Sequence, residues 1–322
     1  VYLSAFEHGV ISPSSQLYDS PLSVLDEDAA KRNGGNATIW QPQNFDHKFL
    51  GYLSAEDALA QSRNVCSVRV AQQVGIKTVI DTARRAGIKE ELNPTLALSL
   101  GASAASPLSM ANAYATIARG GQYMEPHFIR RIEDDRGKVL ETFEPIQSRS
   151  LDLDATRQLV DILRKVVESG TGTRARVPGI QVAGKTGTAD EARDLWFVGF
   201  TPDLVTAVWV GNAENKAVGG SHTTGGTVVA PIWKRFVSAY YKNHSKPKGE
   251  LISAGGPNPE SSIKAENEIK PGLQEAAAAQ SYQQSVSPQS TRRPRRAKKA
   301  PQNHAGARHT GTGIQEYNWD KR

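Results

Sequence analysis

The sequence contains very little cysteine, and this scarcity excludes whole classes of protein. Cys66 is the only cysteine among 322 residues, so the chain cannot form an internal disulfide bond. The seven histidines, at positions 8, 47, 127, 222, 244, 304 and 309, are never spaced like metal ligands. We therefore expect no metal site and no other cofactor.

Long apolar segments are also missing. No run of roughly 18 or more apolar residues occurs, so we expect no segment of this chain to cross a membrane. The first residue is Val1 rather than Met, and no signal sequence stands before the first helical pattern. We therefore expect the chain to be a fragment, with a membrane anchor further upstream.

The excess of positive charge lies entirely in the C-terminal part. Residues 243–322 hold 13 Lys and Arg against 7 Asp and Glu, which leaves 26 of each sign in residues 1–242. The same C-terminal part is rich in Pro, Ser, Gln and Ala and includes RRPRRAKKA. Such a composition buries too little apolar surface to offset the entropy lost on ordering. We expect a folded domain over 1–242 and a disordered basic tail over 243–322.

Helical patterns dominate the first part of the domain, and strand patterns the second. Ser54 is a typical N-cap for the helical run AEDALAQ, and a capped helix is predicted from Leu108 to Arg119. After Gly170 the apolar period changes from 3.6 to 2, and IQVAGKTGT, LWFVGFTP and LVTAVWVGN are three successive strand candidates. PIWKRFVSAYYK then forms a closing helix. The order favours an α+β fold with an antiparallel sheet packed against helices.

One segment, GIQVAGKTGTAD over 179–190, fits two kinds of site. As G-x-x-x-x-G-K-T it matches the phosphate-binding loop of nucleoside triphosphatases. Such a loop opens directly into a helix, whereas here a polar turn and another strand follow Thr188. From Lys185 onward the segment reads K-T-G-T, the strand motif of serine enzymes that transfer acyl groups. The strand context favours this second interpretation.

A second motif strengthens the acyl-transfer interpretation. Ser62-Arg63-Asn64 follows a helical run and precedes Lys185 by more than a hundred residues, giving the order S-x-N and then K-T-G. Further motifs occur in order along the chain. They are WQPQN at 40–44, ALAQSRNV at 58–65, AYATIARGG at 113–121, GTGT at 170–173, DLWFVGFTP at 194–202 and WVGN at 209–212. Together these motifs resemble the transpeptidase domain of class A penicillin-binding proteins, over Val1 to about Lys242.

The resemblance implies a peptidoglycan D,D-transpeptidase, which β-lactams inhibit. Such enzymes acylate a serine with the penultimate D-Ala of a stem peptide and transfer the acyl group to an amine. Ser62 would relay a proton to the leaving nitrogen, and Asn64 would hydrogen-bond the substrate amide. Lys185, Thr186 and Thr188 would bind the substrate carboxylate, with the N–H of Thr188 as half of the oxyanion hole. Gly187 would let the substrate backbone lie close to the strand.

The family's nucleophile, in an S-x-x-K motif, is expected upstream of Val1, because VYLSAFEHG resembles the segment that follows this motif. A literal S-x-x-K, Ser261 to Lys264, falls in the tail that we expect to be disordered and is treated as a chance match. Lys89 replaces the first Glu of the E-x-E-L-N motif of class A β-lactamases, so it cannot act as a base at neutral pH.

Three alternatives remain open from the sequence: a D,D-carboxypeptidase, a β-lactamase-type hydrolase, or a non-catalytic relic that still binds. The resemblance also implies an extracytoplasmic location, at the periplasmic face of the membrane. The basic segment RRPRRAKKA would then meet an anionic membrane surface or wall polymers rather than nucleic acid.

Overall fold

The computed structural model describes residues 1–26, 38–220 and 222–256. The helices are Tyr2–Glu7 (α1), Ala55–Ala60 (α2), Asn64–Val74 (α3), Ile76–Ala86 (α4), Pro107–Ala118 (α5), Leu153–Glu168 (α6) and Ala230–Asn243 (α7). Short 3-10 turns lie at Leu96–Leu100, Thr173–Ala175 and Asp190–Ala192, and a π-helical turn, Gly225–Val229, leads into α7.

The strands form small antiparallel sheets, of which the largest has three strands. The strands are Gln16–Asp19 (β1), Val24–Asp26 (β2), Thr38–Trp40 (β3), Gly51–Ser54 (β4), Gln122–Met124 (β5), Arg131–Glu133 (β6), Val139–Thr142 (β7), Gln147–Arg149 (β8), Ala183–Thr188 (β9), Asp194–Phe200 (β10) and Val205–Gly211 (β11). Pairs form between β1 and β4, β2 and β3, β5 and β8, and β6 and β7, and the order of the main sheet is β11-β10-β9.

Helices cover both faces of the main sheet. Phe197 and Phe200 of β10 point to opposite faces, as the period of two requires. Phe197 contacts Trp233 of α7 edge to face at 5.2 Å between ring centroids, whereas Phe200 meets Tyr114 of α5 at 6.4 Å. Helix α6 contacts β9 directly. The α+β fold with an antiparallel sheet is therefore confirmed, and β9 is held rigidly at the sheet edge.

Local signals placed several of these elements correctly. The predicted N-cap is present, because the Ser54 hydroxyl accepts a hydrogen bond from the Asp57 N–H at 3.1 Å. The helix expected from Leu108 to Arg119 runs from Pro107 to Ala118. The three predicted strands are β9, β10 and β11, although the first begins at Ala183 rather than Ile180.

Packed residues continue beyond the expected boundary at Lys242. Leu251 is buried in the hydrophobic core that also includes residues of α1 and α6, and its N–H donates to the Gln181 side chain at 2.9 Å. The N–H of Ala254 donates to Asp161 at 2.8 Å. Residues 251–254 thus contact the domain, because Leu251 supplies an apolar side chain that composition averaged over the whole tail conceals. The remainder of the predicted tail, 257–322, lies outside the described residues.

Within the described ranges, no helix combines the length and apolar character needed to span a bilayer. The same residues contain no cluster of three or more His, Cys, Asp or Glu that could hold a metal ion.

Candidate active site

Lys185 and Ser62 meet although they are far apart in sequence. Lys185 lies in β9 opposite Val198 of β10. Its Nζ donates to the Ser62 hydroxyl at 2.8 Å and to the Thr186 carbonyl at 3.1 Å. The K-T-G and S-x-N segments predicted from the sequence are therefore joined directly by a charge-assisted hydrogen bond.

Ser62 occupies a strained backbone position at the end of α2. Its φ is +57°, a left-handed conformation that side chains with a Cβ rarely adopt. The N–H of Ser62 donates to the Leu59 carbonyl at 3.1 Å, and the N–H of Arg63 donates to the Ala58 carbonyl at 2.8 Å. These two bonds form a Schellman motif, in which glycine usually takes the position of Ser62. A serine at a position that favours glycine indicates a role for its hydroxyl group.

Asn64 is the first residue of α3, two positions after Ser62. Its side-chain Nδ2 donates to the Gln43 carbonyl at 2.9 Å. This bond joins the S-x-N segment to the loop over residues 41–50, which forms one wall of the site. The Asn64 side-chain oxygen is a hydrogen-bond acceptor.

Thr186 and Thr188 follow Lys185 along the same strand. The Thr186 hydroxyl is 2.7 Å from the hydroxyl of Thr171. The Thr188 hydroxyl accepts a hydrogen bond from the Gly225 N–H at 3.0 Å and can still donate its own proton. Gly225 fits only as glycine, since a Cβ there would lie 2.4 Å from the Gly187 carbonyl oxygen.

Gly187 has a packing reason to be glycine. A Cβ at this position would lie 3.1 Å from the Cβ of Trp196, its partner across the β9–β10 pair. The expected role of Gly187 beside a substrate remains a prediction. It does not line the cleft that the neighbouring site residues surround.

These segments enclose a cleft of about 1190 Å³. Ser62, Asn64, Thr186 and Thr188 line it, with the 43–47 loop on one side and Thr171 and Thr173 on the other. This volume accommodates an extended peptide of several residues.

Burial shifts the pKa of Lys185 and the pKa of Cys66. Burial lowers the pKa of Lys185 from 10.5 to about 8, so the side chain is mainly cationic at neutral pH but titrates within the accessible range. Burial raises the pKa of Cys66 to about 12. The thiol is fully buried on α3, so it is a packing residue rather than a nucleophile.

The structure also settles the competing motifs. Lys185 lies inside a strand rather than in a loop that opens into a helix, so the nucleotide-binding alternative is wrong. Lys89 forms an exposed ion pair with Glu125 at 3.0 Å and does not line the cleft. Ser245 to Lys248 is another literal S-x-x-K, and Ser245 is exposed and outside the cleft. Ser261 to Lys264 lies outside the described residues.

Sequence reasoning missed two parts of the site. Arg63 was treated only as the variable residue of S-x-N, although its side chain is 7% exposed and paired with the buried Asp19. Thr171 belongs to the quoted GTGT segment, but nothing in that motif assigns it to the Thr186 hydroxyl. The signal that could have found Arg63 is its charge two residues before Val65 and Cys66, which are buried in α3.

Comparison with known protein families assigns the chain to a family. The chain matches the family model described as "Penicillin binding protein transpeptidase domain" over residues 1–238. The chain belongs to the penicillin-binding protein transpeptidase family. The resemblance inferred from the sequence motifs is thereby confirmed.

Relatives of this transpeptidase domain are bacterial class A proteins. It is 38% identical over 256 residues to penicillin-binding protein 1A of Aquifex aeolicus, covering 78% of this chain and 33% of that protein. It is 34% identical over 266 residues to penicillin-binding protein 1A of Rickettsia typhi, covering 76% of this chain and 33% of the relative. The chain thus spans about a third of the length of these relatives.

A solved structure shows the same fold. Penicillin-binding protein 1A from Haemophilus influenzae, determined at 2.6 Å, superposes with a TM-score of 0.69 at 26% identity. The match covers 78% of this chain and 42% of the solved chain. The transpeptidase fold extends over nearly all of the part that the structure describes.

Proposed function

We propose that this domain cross-links peptidoglycan stem peptides as a serine D,D-transpeptidase at the periplasmic face of the membrane, and that β-lactams acylate it. The observation that carries the proposal is the 2.8 Å hydrogen bond between Lys185 Nζ and Ser62 Oγ, which joins the K-T-G and S-x-N segments in one cleft. Ser62 lines the cleft and supplies a hydroxyl for a proton relay, and Lys185, which does not itself line the cleft, supplies a cation for a carboxylate through its contact with Ser62.

Each step of the proposed reaction has a group to serve it. A serine oxygen from the family's S-x-x-K motif bonds to the carbonyl carbon of the penultimate D-Ala, and the bond to the terminal D-Ala nitrogen breaks. The Ser62 hydroxyl passes its proton to that leaving nitrogen and takes up the proton that the attacking serine loses. An amine of a second stem peptide then attacks the ester carbon, the bond from that carbon to the serine oxygen breaks, and the proton lost by the amine restores the serine hydroxyl.

Binding of the substrate follows from the edge of β9. Lys185 and the hydroxyls of Thr186 and Thr188 present one cation and two neutral donors to the terminal carboxylate. The Ala189 N–H donates to the Asp194 carbonyl at 2.9 Å. Because alternate N–H groups of an antiparallel strand point to opposite sides, the Thr188 N–H points away from β10. That direction supports its assignment to the oxyanion hole.

Replacing Lys185 by alanine tests this function. The experiment uses the extended protein, defined as this chain together with whatever its gene encodes upstream of Val1. We expect acylation by penicillin to slow about 10- to 1,000-fold, because a charge-assisted contact to the carboxylate is lost. Lys165→Ala is the matched control, since it removes ion pairs at 2.9 Å to Glu56 and 2.7 Å to Asp57 outside the cleft.

The pH profile gives a second measurement of the same group. Lys185 must be protonated to attract the carboxylate, so the acylation rate should fall as the pH rises through about 8. The acylation rate of the Lys185→Ala variant should not show this fall as the pH rises. An unchanged rate in the variant would remove Lys185 from the site.

Hydrolysed stem peptide in place of cross-linked dimer would favour the D,D-carboxypeptidase alternative, and no acylation of the extended protein at all would favour a binding relic.

The basic C-terminal segment is proposed to bind anionic membrane surface or wall polymers. Two truncations separate this role from folding. Ending the chain after Lys248 removes Leu251, which should lower the free energy of unfolding by about 2 to 4 kcal/mol, as for other buried leucines. Ending it after Gly256 keeps the Leu251 contacts and should preserve the melting temperature.

Both truncated proteins should lose binding to anionic vesicles. In the complete chain this binding should fade as salt rises from about 50 to 300 mM, because the screening length shortens. Binding that does not respond to salt, or vesicle binding by the protein ending at Gly256, would contradict the proposal.

A further inference from the structure

Arg63 stands between the two predicted site residues Ser62 and Asn64, but its side chain turns into the protein. Its Nε donates to Asp19 at 2.9 Å, and its Nη1 lies 3.1 Å from both carboxylate oxygens of Asp46. Nη2 donates to the Lys48 carbonyl. The planar guanidinium thus reaches three acceptors on two sides, which a lysine ammonium cannot match.

Asp19 is the fixed partner in this group. It ends β1 and is fully buried. Besides Arg63, it accepts hydrogen bonds from the Asn44 side chain at 2.7 Å and from the Leu50 N–H at 3.1 Å. A buried carboxylate with three donors is held in one geometry, and removing Arg63 would leave its negative charge without a cationic partner.

The same group holds the start of α3. The Asn44 side-chain oxygen accepts a hydrogen bond from the Val65 N–H at 3.2 Å. Asn44 therefore links Asp19 to the backbone immediately after Asn64. Burial has the largest single effect on the pKa of Asp46 and raises it, but the hydrogen bonds from Arg63 and the Lys48 N–H, together with the charge of Arg63, outweigh burial and lower that pKa. The Arg63–Asp19–Asn44–Asp46 group, called the anchor below, thus contacts the S-x-N segment; Arg63, Asn44 and Asp46 line the cleft, whereas Asp19 does not.

Strain at Ser62 explains why such an anchor is needed. A residue other than glycine at a φ of +57° costs of the order of 1 kcal/mol or more, and it persists only where neighbouring contacts determine it. We propose that Arg63 is a positioning residue that, through the buried Asp19, fixes the Ser62 hydroxyl and the Asn64 amide at the distance that catalysis requires. This inference rests on the proposed transpeptidase function.

The decisive variants replace either Arg63 or its buried partner Asp19. In the extended protein, Arg63→Ala should slow penicillin acylation about 10- to 100-fold, since displacement of a catalytic group by roughly 1 Å has effects of this size. Asp19→Asn should slow it similarly, although Asp19 does not line the cleft. Arg63→Lys keeps the positive charge but loses the planar guanidinium with its several N–H donors, so its acylation rate should lie between those of Arg63→Ala and the parent.

Arg85→Ala is the matched control for a simple loss of stability. Arg85 pairs with Glu7 at 2.8 Å, and the Glu7 side chain is 6% exposed, but neither residue lines the cleft. We expect Arg85→Ala to lower the melting temperature while the acylation rate stays within about twofold of the parent, as is usual for substitutions away from a site. Equal slowing by the control would show that Arg63 acts only through stability.

Direct binding of the substrate by Arg63 would give a different pattern of acylation rates. Slowing by Arg63→Ala without slowing by Asp19→Asn would make Arg63 a substrate contact and overturn the positioning role. Asp46→Asn cannot provide this comparison, because Asp46 lines the cleft. If Asp19→Asn does not fold, the Lys185 pKa in Arg63→Ala decides between the two roles.

A measurement on the chain as it stands separates this inference from the proposed function. In Arg63→Ala the Ser62 hydroxyl should leave Lys185 Nζ, and solvent should enter. The Lys185 pKa, followed by NMR of the Nζ and Cε signals, should then rise from about 8 toward its ordinary value of 10.5. An unchanged pKa would overturn the inference even if the extended protein were never acylated.

Discussion

Replacing Ser62 by glycine should lower acylation of the extended protein by penicillin about 100- to 10,000-fold, the range typical of a lost acid–base group. The melting temperature should not fall. Glycine adopts the φ of +57° without strain, so the Schellman bonds at the end of α2 remain and the backbone of the site is preserved. Only the hydroxyl that Lys185 contacts is lost.

Ser54→Ala is a control on the same helix with the opposite expected pattern. Ser54 caps the N-terminus of α2, and its removal should cost about 1 kcal/mol of stability. Acylation should be unchanged, because the cleft end of α2 is not altered. If Ser62→Gly retained full activity, Ser62 would be a structural residue and another group would have to protonate the leaving nitrogen.

This chain by itself should form no covalent adduct with a fluorescent penicillin, whereas the extended protein should be labelled. Ser62 is the only serine among the described residues that line the cleft. A serine nucleophile of this kind uses its own N–H as half of the oxyanion hole. The Ser62 N–H is already bonded to the Leu59 carbonyl at 3.1 Å, so Ser62 cannot fill that role.

Denaturing electrophoresis followed by mass spectrometry provides the measurement. The matched control is the extended protein treated in parallel, with and without excess unlabelled penicillin. A stable adduct mapped to Ser62 in the chain alone would make Ser62 and Lys185 the nucleophile and its base. An adduct mapped between Ser261 and Lys264 would show that the S-x-x-K of the tail is functional after all.

The sequence by itself determined those features that depend on near neighbours. Ser54 beside Glu56 and Asp57 specifies the start of α2, because capping satisfies local backbone donors. The alternation around Lys185 specifies a strand, since side chains alternate with a period of two. These local signals were sufficient to reject the phosphate loop, whereas S-x-N and K-T-G were assigned to one site through the resemblance to penicillin-binding proteins.

Tertiary structure alone decided how those parts meet. Ser62 and Lys185 are 123 residues apart, and Arg63 and Asp19 are 44 residues apart. No local period encodes such pairs, because they depend on how α2, β1 and β9 pack around a shared core. For the same reason composition suggested a tail that begins after Lys242, whereas Leu251 returns to the core. Burial of the Leu251 side chain stabilises the protein only because residues distant in sequence form the core around it. The average composition of the C-terminal segment contains no information about those residues.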